Sequence, residues 1–502
     1  MLAQILLLTV LTMFPSGEVQ GSLEQQGPIE VLNLWGSWEE MGYAHGYLLA
    51  PRIKLVYETY MVELAGGVSN IEALRLFYIQ HFQTPSRFSS YAAGGIAGMA
   101  DSVDLYSDVF GRELDTLDVL VASAVQDFSG ATPLGDLLCS SVSSWGEATA
   151  SEPELAGSPA MSRNLDFFVD SAANVLDAQL LVTLDPDSGQ DFVSIGFSGY
   201  LGTLSGMNES GVCAALNMGD HKGITTWEPD FVPITMALAM GLCDEDFDGS
   251  GSHDAGDLVA ALTEYNRSSS YIIHVVADPE LAWQGDTGLV VEVNNSVGHA
   301  LRSAGDEPAI APDHMAATNH HRKLYSPSPG WRYPLLVDSM AADPDMTLGR
   351  FWSLMGEVGF PPTPNSGGTI QTMIFAPQQR RIGLAFSTDE AASWEQDPYW
   401  LDWDDLFPNH DPQSADPDRP QSPGLSIRPN PATGTVAVAV PGPGALEVYD
   451  LCGRRVSPPL IGAAGCSREL DVSALSPGVY LMVHRGEAGV RTARMVVAAG
   501  GR

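Results

Sequence analysis

Basic residues are scarce in this chain of 502 residues. It has 24 lysines and arginines against 62 aspartates and glutamates, which gives a formal net charge of −38. Such a surface repels nucleic acids and anionic membranes, so we expect neither as a partner. The same charge favours solubility and cation binding, although a solvated acidic surface without a specific partner is the simpler interpretation.

Long apolar runs are also missing. The apolar stretch within the first 22 residues is too short to span a bilayer, and a small-residue site follows it at Val19-Gln20-Gly21. This pattern predicts a secretory signal peptide over residues 1–21. A membrane-anchored start is the alternative, because no lysine or arginine stands near the amino terminus. We predict no later transmembrane segment in the mature chain.

Cysteines are few and odd in number, which excludes a disulfide framework. Cys452 and Cys466 could pair near the end of the chain. Cys213 and Cys243 lie in apolar runs, which favours buried thiols that act as small hydrophobic side chains. Cys139 is different, because it begins the serine-rich run "CSSVSSW", which is typical of a strand.

The hydrophobic periodicity divides the first 407 residues into two regions. Residues 22–138 predict a helical segment, in which "GSWEEMGYAHGYLLAPRI" begins with Ser37 and Glu40 at capping-box spacing. Residues 139–407 predict short strands with interleaved helices, so the fold class is α+β.

The end of the chain has a different composition. Residues 408–424 contain five prolines in seventeen residues and predict a stiff linker. Residues 425–502 hold eight arginines and five acidic residues, a net charge of 8 − 5 = +3, and predict a small all-β sandwich. The stretches "IRPNPATG", "LEVYDLCGRRV", "LDVSALSPGVYLMVHR" and "ARMVV" occur there in this order.

This tail resembles the C-terminal sorting domain of proteins exported by the type IX secretion system. The resemblance implies that the secretion machinery is a partner, and that the protein passes through the periplasm to a secreted or cell-surface location. A generic β-sandwich accessory domain is the alternative.

Cys139 lies close in sequence to groups that could activate a thiol. An unperturbed thiol with a pKa near 8.5 is mostly protonated at neutral pH, so it needs a base or a cation. If the chain were cut before Cys139, the free α-amino group, with a pKa of about 7.7, would supply the base. A hairpin of residues 139–145 and 160–168 would bring Arg163 to the thiolate and Asp166 to the amine. A buried, inert cysteine and a plain ion pair are the alternatives.

Four motifs extend this pattern along the chain: "CSSVSSWGEAT" with "SRNLDFF", then "GYLGTLSGMNESGVCAALNM", then "AATNHH", and last "TIQTMIFAPQQRRIGLAFS". Residues 30–390 thereby resemble the choloylglycine hydrolase and acyl-CoA:6-aminopenicillanate acyltransferase group, the C45-type peptidases among the N-terminal nucleophile hydrolases. The resemblance implies a four-layer αββα sandwich with a helical segment before it. It also implies self-cleavage between Leu138 and Cys139, which makes residues 22–138 the smaller chain.

The same resemblance implies roles for the site residues. Cys139 would be the nucleophile, with Arg163 and Asp166 holding it and its amine. Asn217 and Asn319 would stabilise the tetrahedral oxyanion, each contributing about 3 kcal/mol; as an alternative they are turn formers at strand ends. The family's second active-site arginine is not identified by any motif here.

The implied activity is hydrolysis or transfer of an acyl group at a non-peptide C–N amide bond of a small molecule, through a thioester and without a catalytic cofactor. Two other functions stay open. One is a phospholipase B-like hydrolase of acyl esters, and the other is a non-catalytic, calcium-stabilised surface module.

A second candidate site is the acidic stretch "DFDGSGSHDAGD" at residues 246–257. Oxygen-bearing side chains occupy positions 1, 3, 5, 7, 9 and 12 of a twelve-residue calcium loop, with Gly251 at position 6. These are Asp246, Asp248, Ser250, Ser252, Asp254 and Asp257. The spacing predicts a structural Ca²⁺ site, and a solvated loop that caps a helix is the alternative.

The histidines of "DHMAATNHH" do not suggest a metal site in the same way. Neighbouring residues on a strand point to opposite faces, so His320 and His321 are not expected to share a ligand set. We expect His320 to line a pocket.

Overall fold

The computed structural model describes residues 19–128, 138–221, 230–244, 246–327 and 330–407, and parts of residues 426–497. Most of the predicted signal peptide and the whole of the predicted linker lie outside the described residues. The chain divides into two compact units, Met1–Asn409 and His410–Arg502.

The first unit mixes strands and helices. Its strands are β1 Gly21–Gln26, β2 Ile29–Gly36, β3 Tyr106–Ser107, β4 Arg112–Glu113, β5 Cys139–Ser144, β6 Ala160–Val169, β7 Gln179–Pro186, β8 Phe192–Phe197, β9 Ser205–Asn208, β10 Val212–Met218, β11 Ser270–Ala277, β12 Gly288–Asn294, β13 Gly298–Ser303, β14 His314–Ala317, β15 Ser366–Ala376, β16 Arg381–Phe386 and β17 Tyr399–Asp402. Its helices are α1 Trp38–Val56, α2 Val62–Ala65, α3 Val68–His81, α4 Ser86–Ser102, α5 Thr116–Ser123, α6 Asn174–Asp177, α7 Ile234–Cys243, α8 Ala255–Glu264, α9 Arg332–Ala342, α10 Leu348–Val358 and α11 Trp403–Leu406.

One large sheet has nine strands in the order β1-β2-β7-β8-β9-β10-β11-β12-β13. Its strands pair antiparallel except β2 and β7, which are parallel. Here the prediction of a helical segment from residue 22 is wrong, because Gly21–Gln26 and Ile29–Gly36 form strands. The helices begin only at Trp38. The segment before Cys139 is therefore joined to the large sheet through the β2–β7 pairing.

The second sheet has six strands in the order β14-β5-β6-β15-β16-β17, all of them antiparallel pairs. Strands β5 and β6 form the hairpin that the sequence predicts. Cys139 lies opposite Leu165, and Ser141 lies opposite Arg163. Strand β14 flanks β5 on the other side, with Ala317 opposite Ser141. Strand β5 therefore lies between β6 and β14, and its first two residues, Cys139 and Ser140, pair with β6.

Three hydrophobic cores stack these elements in layers. Leu216 of β10 belongs to a core shared with α1, α4, α7 and α8. Cys213, on the opposite face of β10, packs with Met373 of β15 in a core between the two sheets. Ile374 of β15 packs with α9 and α10 on the far side of the six-stranded sheet. The order helices, sheet, sheet, helices confirms the predicted αββα sandwich and the α+β class.

Helix α1 begins where the sequence predicts. The Ser37 side chain accepts a hydrogen bond from the backbone N–H of Glu40, and the Glu40 carboxylate accepts one from the backbone N–H of Ser37. This reciprocal pair is the predicted capping box. No helix in the described part of the chain is long and apolar enough to cross a membrane.

The second unit consists of strands in its described part. These are β18 Ser426–Arg428, β19 Thr435–Ala439, β20 Gly444–Asp450, β21 Leu460–Gly462, β22 Ser467–Asp471, β23 Gly478–Gly486 and β24 Gly489–Val497. They form one sheet in the order β18-β19-β22 and another in the order β21-β20-β23-β24. Val438, Leu470, Val448 and Met482 meet in its core. This arrangement confirms the predicted small β-sandwich.

Candidate active site

Cys139 is the first residue of β5, and its side chain is almost fully buried. The Nη2 atom of Arg163 lies 3.4 Å from its Sγ atom. Arg163 comes from the neighbouring strand β6, and side chains two residues apart on a strand share a face, so the hairpin directs the guanidinium toward the thiol. The structure thus brings together the cysteine and the first of its two predicted partners.

Arg163 is itself completely buried, and no carboxylate binds its guanidinium within the described residues. It donates hydrogen bonds to the backbone carbonyls of Leu204 and Leu216 and to the hydroxyl of Ser205. These neutral acceptors fix the side chain without cancelling its charge. A fixed cation at this distance from the sulfur can stabilise negative charge that develops there during a reaction.

Asn319 lies two residues beyond β14, level with Cys139 across the sheet. Its Oδ1 atom accepts a hydrogen bond from the backbone N of Cys139 at 2.8 Å, and its Nδ2 atom donates to the carbonyl of Met218 at 2.7 Å. Asn217, on β10, places its Nδ2 3.4 Å from Ser141 Oγ, and its Oδ1 has no hydrogen-bond partner in the described structure. Asn319 thus holds the nitrogen of Cys139, while the predicted oxyanion roles of both asparagines stay predictions.

A second arginine, which the sequence did not identify, completes the cluster. Arg332 is the first residue of α9, and its Nη1 atom donates to the Cys139 carbonyl at 3.0 Å, to Ser140 Oγ at 3.0 Å and to Asp166 Oδ2 at 2.9 Å. Its Nη2 atom donates to Asn319 Oδ1 at 2.6 Å. Arg332 therefore links the carbonyl of Cys139 to the residue that holds its nitrogen.

Asp166 lies on the same strand as Arg163, and both of its carboxylate oxygens have partners. Arg332 binds one oxygen and the hydroxyl of Thr369 binds the other. Burial raises the pKa of Asp166 to about 6, although Arg332, the Thr369 hydroxyl and Arg163 each favour the ionised form. The backbone N of Asp166 donates to the carbonyl oxygen of Leu138 at 3.0 Å. The carboxylate thus binds Arg332 rather than the nitrogen of Cys139.

The charges of this cluster do not balance. Two arginines, Arg163 and Arg332, face a single carboxylate, Asp166, within this largely buried group of described residues. Arg163 contacts the thiol of Cys139 and Arg332 contacts its carbonyl, so the excess of positive charge lies next to this residue. A negatively charged tetrahedral intermediate is a species that such a site stabilises.

The other two cysteines in the described residues are also free and buried. Burial raises the pKa of both the Cys213 and the Cys243 thiol, the latter to about 12. Cys213 packs between the two sheets, with its Sγ near the carbonyl of Val276. These surroundings suit inert thiols, which agrees with the interpretation from sequence.

The acidic loop at residues 246–257 joins α7 to α8. Carboxylate oxygens of Asp246, Asp248 and Asp257 lie within 4.8 Å of one another. Asp254 instead caps α8, because its Oδ1 accepts a hydrogen bond from the backbone N of Gly256 at 2.6 Å. Three of the six predicted ligands therefore converge, while Asp254 takes the capping role that we gave as the alternative. Asp257 shares that role, because its Oδ2 accepts a hydrogen bond from the backbone N of Asp254 at 3.1 Å. Ser250 and Ser252 lie in the same exposed turn, where Ser252 N donates to Ser250 Oγ.

The histidines near Asn319 are not on a strand. Strand β14 ends at Ala317, so the argument that adjacent strand residues point apart does not apply to His320 and His321. His321 is completely buried at its side chain and contacts Asp220, while His320 Nδ1 has no hydrogen-bond partner in the described structure. The prediction that these two residues diverge because they lie on a strand is therefore wrong in its premise.

Several solved structures resemble the chain at low identity. An N-acylethanolamine-hydrolyzing acid amidase ortholog from Caenorhabditis elegans is 14% identical, with 52% of this chain and 100% of that chain covered and a TM-score of 0.35. A mutant of conjugated bile acid hydrolase from Clostridium perfringens is 12% identical over 52% and 92% of the two chains, with a TM-score of 0.34. Penicillin V acylase from Agrobacterium tumefaciens is 14% identical over 53% and 88%, with a TM-score of 0.34. At such values the activity has to be argued from the residues of this chain.

For the tail, the comparison with known protein families gives a match. Residues 426–498 match the family described as the secretion system C-terminal sorting domain. This match confirms the sorting domain predicted from the sequence and shows that the chain carries an export signal at this end. No match was found among curated proteins.

Proposed function

We propose that this protein is an exported cysteine amidase that releases its own nucleophile by cutting the chain between Leu138 and Cys139. The observation that carries the proposal is the set of contacts around Cys139. Its thiol lies 3.4 Å from the uncompensated Arg163, its nitrogen is bound by Asn319, and its carbonyl is bound by Arg332. Cys213, a buried cysteine of the same unit, packs in an apolar core instead, whereas an activated nucleophile is held and oriented by polar groups of this kind.

The first step of the proposal is self-cleavage. The Sγ of Cys139 attacks the carbonyl carbon of Leu138, whose oxygen accepts the backbone N–H of Asp166. The C–N bond breaks, a thioester joins Leu138 to the sulfur, and the proton that the thiol gives up is taken by the nitrogen of Cys139, which becomes an amine. Water then hydrolyses the thioester, which frees the thiol and leaves a carboxylate on Leu138.

In the second step the new amine acts as the base. It takes the proton of its own thiol, and the thiolate attacks the carbonyl carbon of a substrate amide. The amine returns the proton to the leaving nitrogen as the C–N bond breaks, and the acyl group stays on sulfur as a thioester. Water or a second amine then releases the acyl group. Asn319 and Arg332 would hold the nitrogen and carbonyl of Cys139 in place throughout.

A cavity of about 450 Å³ is lined by Leu138 and Asp166, and its volume is that of a small-molecule site. Cys139 itself is not among the described residues that line it, so the thiol would reach a bound acyl group only from beside Leu138. Leu64, Phe167 and Phe360 give the cavity an apolar wall, which favours an apolar acyl group. The bond that we propose is a non-peptide amide. By their names, the three structurally similar proteins act on N-acylethanolamines, conjugated bile acids and penicillin V, and these compounds guide the choice of test substrates.

The proposed export route follows from the tail. The sorting domain would direct the chain through the periplasm to the type IX machinery and so to the cell surface or the medium. The hydrolase would then meet its substrate outside the cell.

Intact-mass measurement and Edman degradation of the purified protein test the proposal. We expect two chains, of which the larger begins Cys-Ser-Ser, and hydrolysis of at least one N-acyl compound. Cys139→Ala should stay a single chain without activity, whereas Cys213→Ala, which removes another buried thiol, should be processed and active. An active protein that is never cut before Cys139 would exclude the mechanism.

A substrate panel separates the proposal from its rivals. N-acyl amino acids, penicillins and bile-salt conjugates contain the amide bond, while lysophospholipids contain the ester bond of a phospholipase B-like enzyme. Faster turnover of the lysophospholipids would favour the esterase. A non-catalytic surface module predicts instead that Cys139 in the folded protein resists labelling by iodoacetamide.

A further inference from the structure

Outside the cysteine site, a second group of side chains has the composition of a metal centre. One carboxylate oxygen of Asp220 and the ring nitrogens of His221 and His321 lie within 4.8 Å of one another. Asp220 Oδ1 is 3.0 Å from His221 Nδ1 and 3.1 Å from His321 Nδ1. Ligand atoms bound tetrahedrally to one Zn²⁺ at about 2.0–2.1 Å are separated by about 3.3–3.5 Å, so a small outward movement of the rings would admit an ion.

We propose that Asp220, His221 and His321 bind a divalent first-row transition-metal ion. Two imidazoles and one carboxylate suit Zn²⁺ and the other late first-row metal ions. Ca²⁺ and Mg²⁺ instead prefer oxygen ligands alone. The site is distinct from the acidic loop at residues 246–257, which offers only oxygen atoms.

The surroundings of the two rings support this assignment. Coordination through Nδ1 leaves the imidazole proton on Nε2, and His321 Nε2 lies 3.2 Å from Ser270 Oγ, which can accept it. His221 stacks on Tyr325 with the ring centres 3.8 Å apart and the planes nearly parallel, and its carbonyl accepts a hydrogen bond from Asn294. Both rings are therefore oriented by neighbours, as ligands of a metal usually are.

The three residues also differ in exposure in a way that suits an entry path. The His321 side chain is buried, Asp220 is partly exposed, and 44% of the His221 side chain is accessible to solvent. Three protein ligands with one open side leave room for a water molecule on the ion. A divalent ion would neutralise the charge of the Asp220 carboxylate. The strongly negative net charge of the chain also attracts cations.

The position of the site connects it to the cysteine cluster. Asp220 lies two residues beyond Met218, the last residue of β10, and His321 lies two residues beyond Asn319. Asn319 already binds the carbonyl of Met218. A bound ion would strengthen the contact that Asp220 and His321 already make between these two segments, next to the residue that holds the nitrogen of Cys139.

Calorimetric titration of the full-length protein with Zn²⁺, in excess Ca²⁺ to occupy the acidic loop, tests the site. We expect one equivalent of Zn²⁺ to bind. Asp220→Asn and His221→Ala should each weaken binding by more than roughly tenfold, while His299→Ala, which removes an exposed histidine on β13, should leave it unchanged. His221 is exposed, so its variant should fold even if a change at the buried His321 does not.

Replacement of Zn²⁺ by Co²⁺ identifies the ligands. A site of nitrogen and oxygen atoms gives ligand-field bands without the intense sulfur-to-cobalt charge-transfer band that a bound Cys139 thiolate would produce. The proposal is overturned if the protein binds no Zn²⁺, if the ligand variants bind it like the wild type, or if the cobalt spectrum shows a thiolate. These outcomes do not depend on whether the protein hydrolyses amides.

Discussion

Arg332 joins groups that come from three different parts of the chain, and this makes it the side chain whose replacement is most informative. It binds the carbonyl of Cys139, Asp166 and Asn319 through a planar fork of N–H groups. Lysine keeps the charge but cannot reach these acceptors together. We expect Arg332→Lys to lower kcat/KM by roughly 10²-fold, mainly through kcat, because Cys139 and its amine lose their alignment.

A matched change and a folding measurement complete this test. Arg350→Lys, at a partly exposed position of α10, removes another ion-paired arginine and should leave the kinetics unchanged. Arg332→Met should affect stability as well as kinetics. It should lower the free energy of unfolding by about 3–5 kcal/mol, because it leaves Asp166 buried without its cation. Normal turnover by Arg332→Lys would show that Arg332 has no role in holding the nucleophile.

The raised pKa of Asp166 predicts how kcat/KM depends on pH. Its pKa is raised by burial to about 6, so below this pH it takes up a proton and binds Arg332 less well. The proposed amine base, with a pKa of about 7.7, is lost as the pH falls through a higher range. We therefore expect log(kcat/KM) to fall with a slope of one below pH 7 and to approach a slope of two below pH 6. Asp166→Asn should be slower but keep a slope of one throughout.

The same carboxyl group affects the free energy of unfolding with the opposite pH dependence: activity falls as the pH is lowered, whereas the contribution of Asp166 to stability grows. Its pKa is higher in the folded chain than in the unfolded chain, so between about pH 3.8 and 6 the folded state binds the extra proton. The contribution of Asp166 to stability is thus present at low pH and is lost as the pH rises through about 6. Denaturant unfolding of wild type and Asp166→Asn between pH 4 and 7 measures this difference. Burial raises the pKa of Asp127 to about 6 too, so Asp127→Asn is the variant for comparison.

What the sequence reveals about the site depends on distance along the chain. Arg163 and Asp166 stand on the strand that pairs with Cys139, so a hairpin and the alternation of side chains were enough to place them near it. Arg332 stands 193 residues beyond Cys139, at the start of a helix, and no spacing rule connects the two. Only the stacking of α9 on the six-stranded sheet brings it to the site.

At the scale of elements, the strand pair at residues 21–36 shows a signal that was present and missed. Gly27 and Pro28 form a turn between runs in which Leu23, Ile29 and Val31 alternate with polar residues. This is a hairpin pattern. A capping box marks only where a helix begins, so the box at Ser37 and Glu40 is compatible with strands before it.

Helices α1 and α4 pack so closely that most of their glycines leave no room for a Cβ atom. A Cβ atom added to Gly46 of α1 would overlap the backbone carbonyl of Gly95 in α4. We expect Gly46→Ala to lower the free energy of unfolding by about 1–3 kcal/mol, because the added methyl group forces the two helix backbones apart. Gly349→Ala in α10, where an added Cβ meets nothing closer than 3.9 Å, should instead be neutral or stabilise by up to about 1 kcal/mol. Equal stability of the two variants in urea unfolding would contradict the close packing.

The loop between α7 and α8 predicts stabilisation by calcium. Asp246, Asp248 and Asp257 bring three carboxylates together, and their repulsion would be relieved by a bound Ca²⁺. At 100 times the dissociation constant, Ca²⁺ should stabilise the folded chain by about 2.7 kcal/mol and raise Tm by several degrees. Asp248→Asn should remove most of this shift, and Asp389→Asn, an exposed aspartate elsewhere, should keep it. If Tm does not respond to Ca²⁺, the loop is only the cap of α8.

At the scale of the whole molecule, composition predicted the division into two units. It could not predict which residues complete the core of the first unit at its carboxyl-terminal end. The change from a net charge of −41 before residue 425 to +3 after it marks the second unit, since −41 + 3 = −38. The edge of the first unit is set by packing. Leu401, Trp403 and Phe407 belong to the core between the two sheets, so the fold extends to the end of the predicted catalytic region.

This boundary predicts where the chain can be cut. A protein that ends at Asn409, the last residue of the first compact unit, should be processed, should keep the thermal stability of its catalytic unit and should hydrolyse substrate at the rate of the full chain, but it should not be exported. A protein that ends at residue 398 lacks β17 and the core residues Leu401 and Trp403, so it should unfold or aggregate. Circular dichroism melting, kcat/KM and the amount of protein in the medium measure the three properties. Loss of activity in the protein that ends at Asn409 would mean that the sorting domain also supports the catalytic unit.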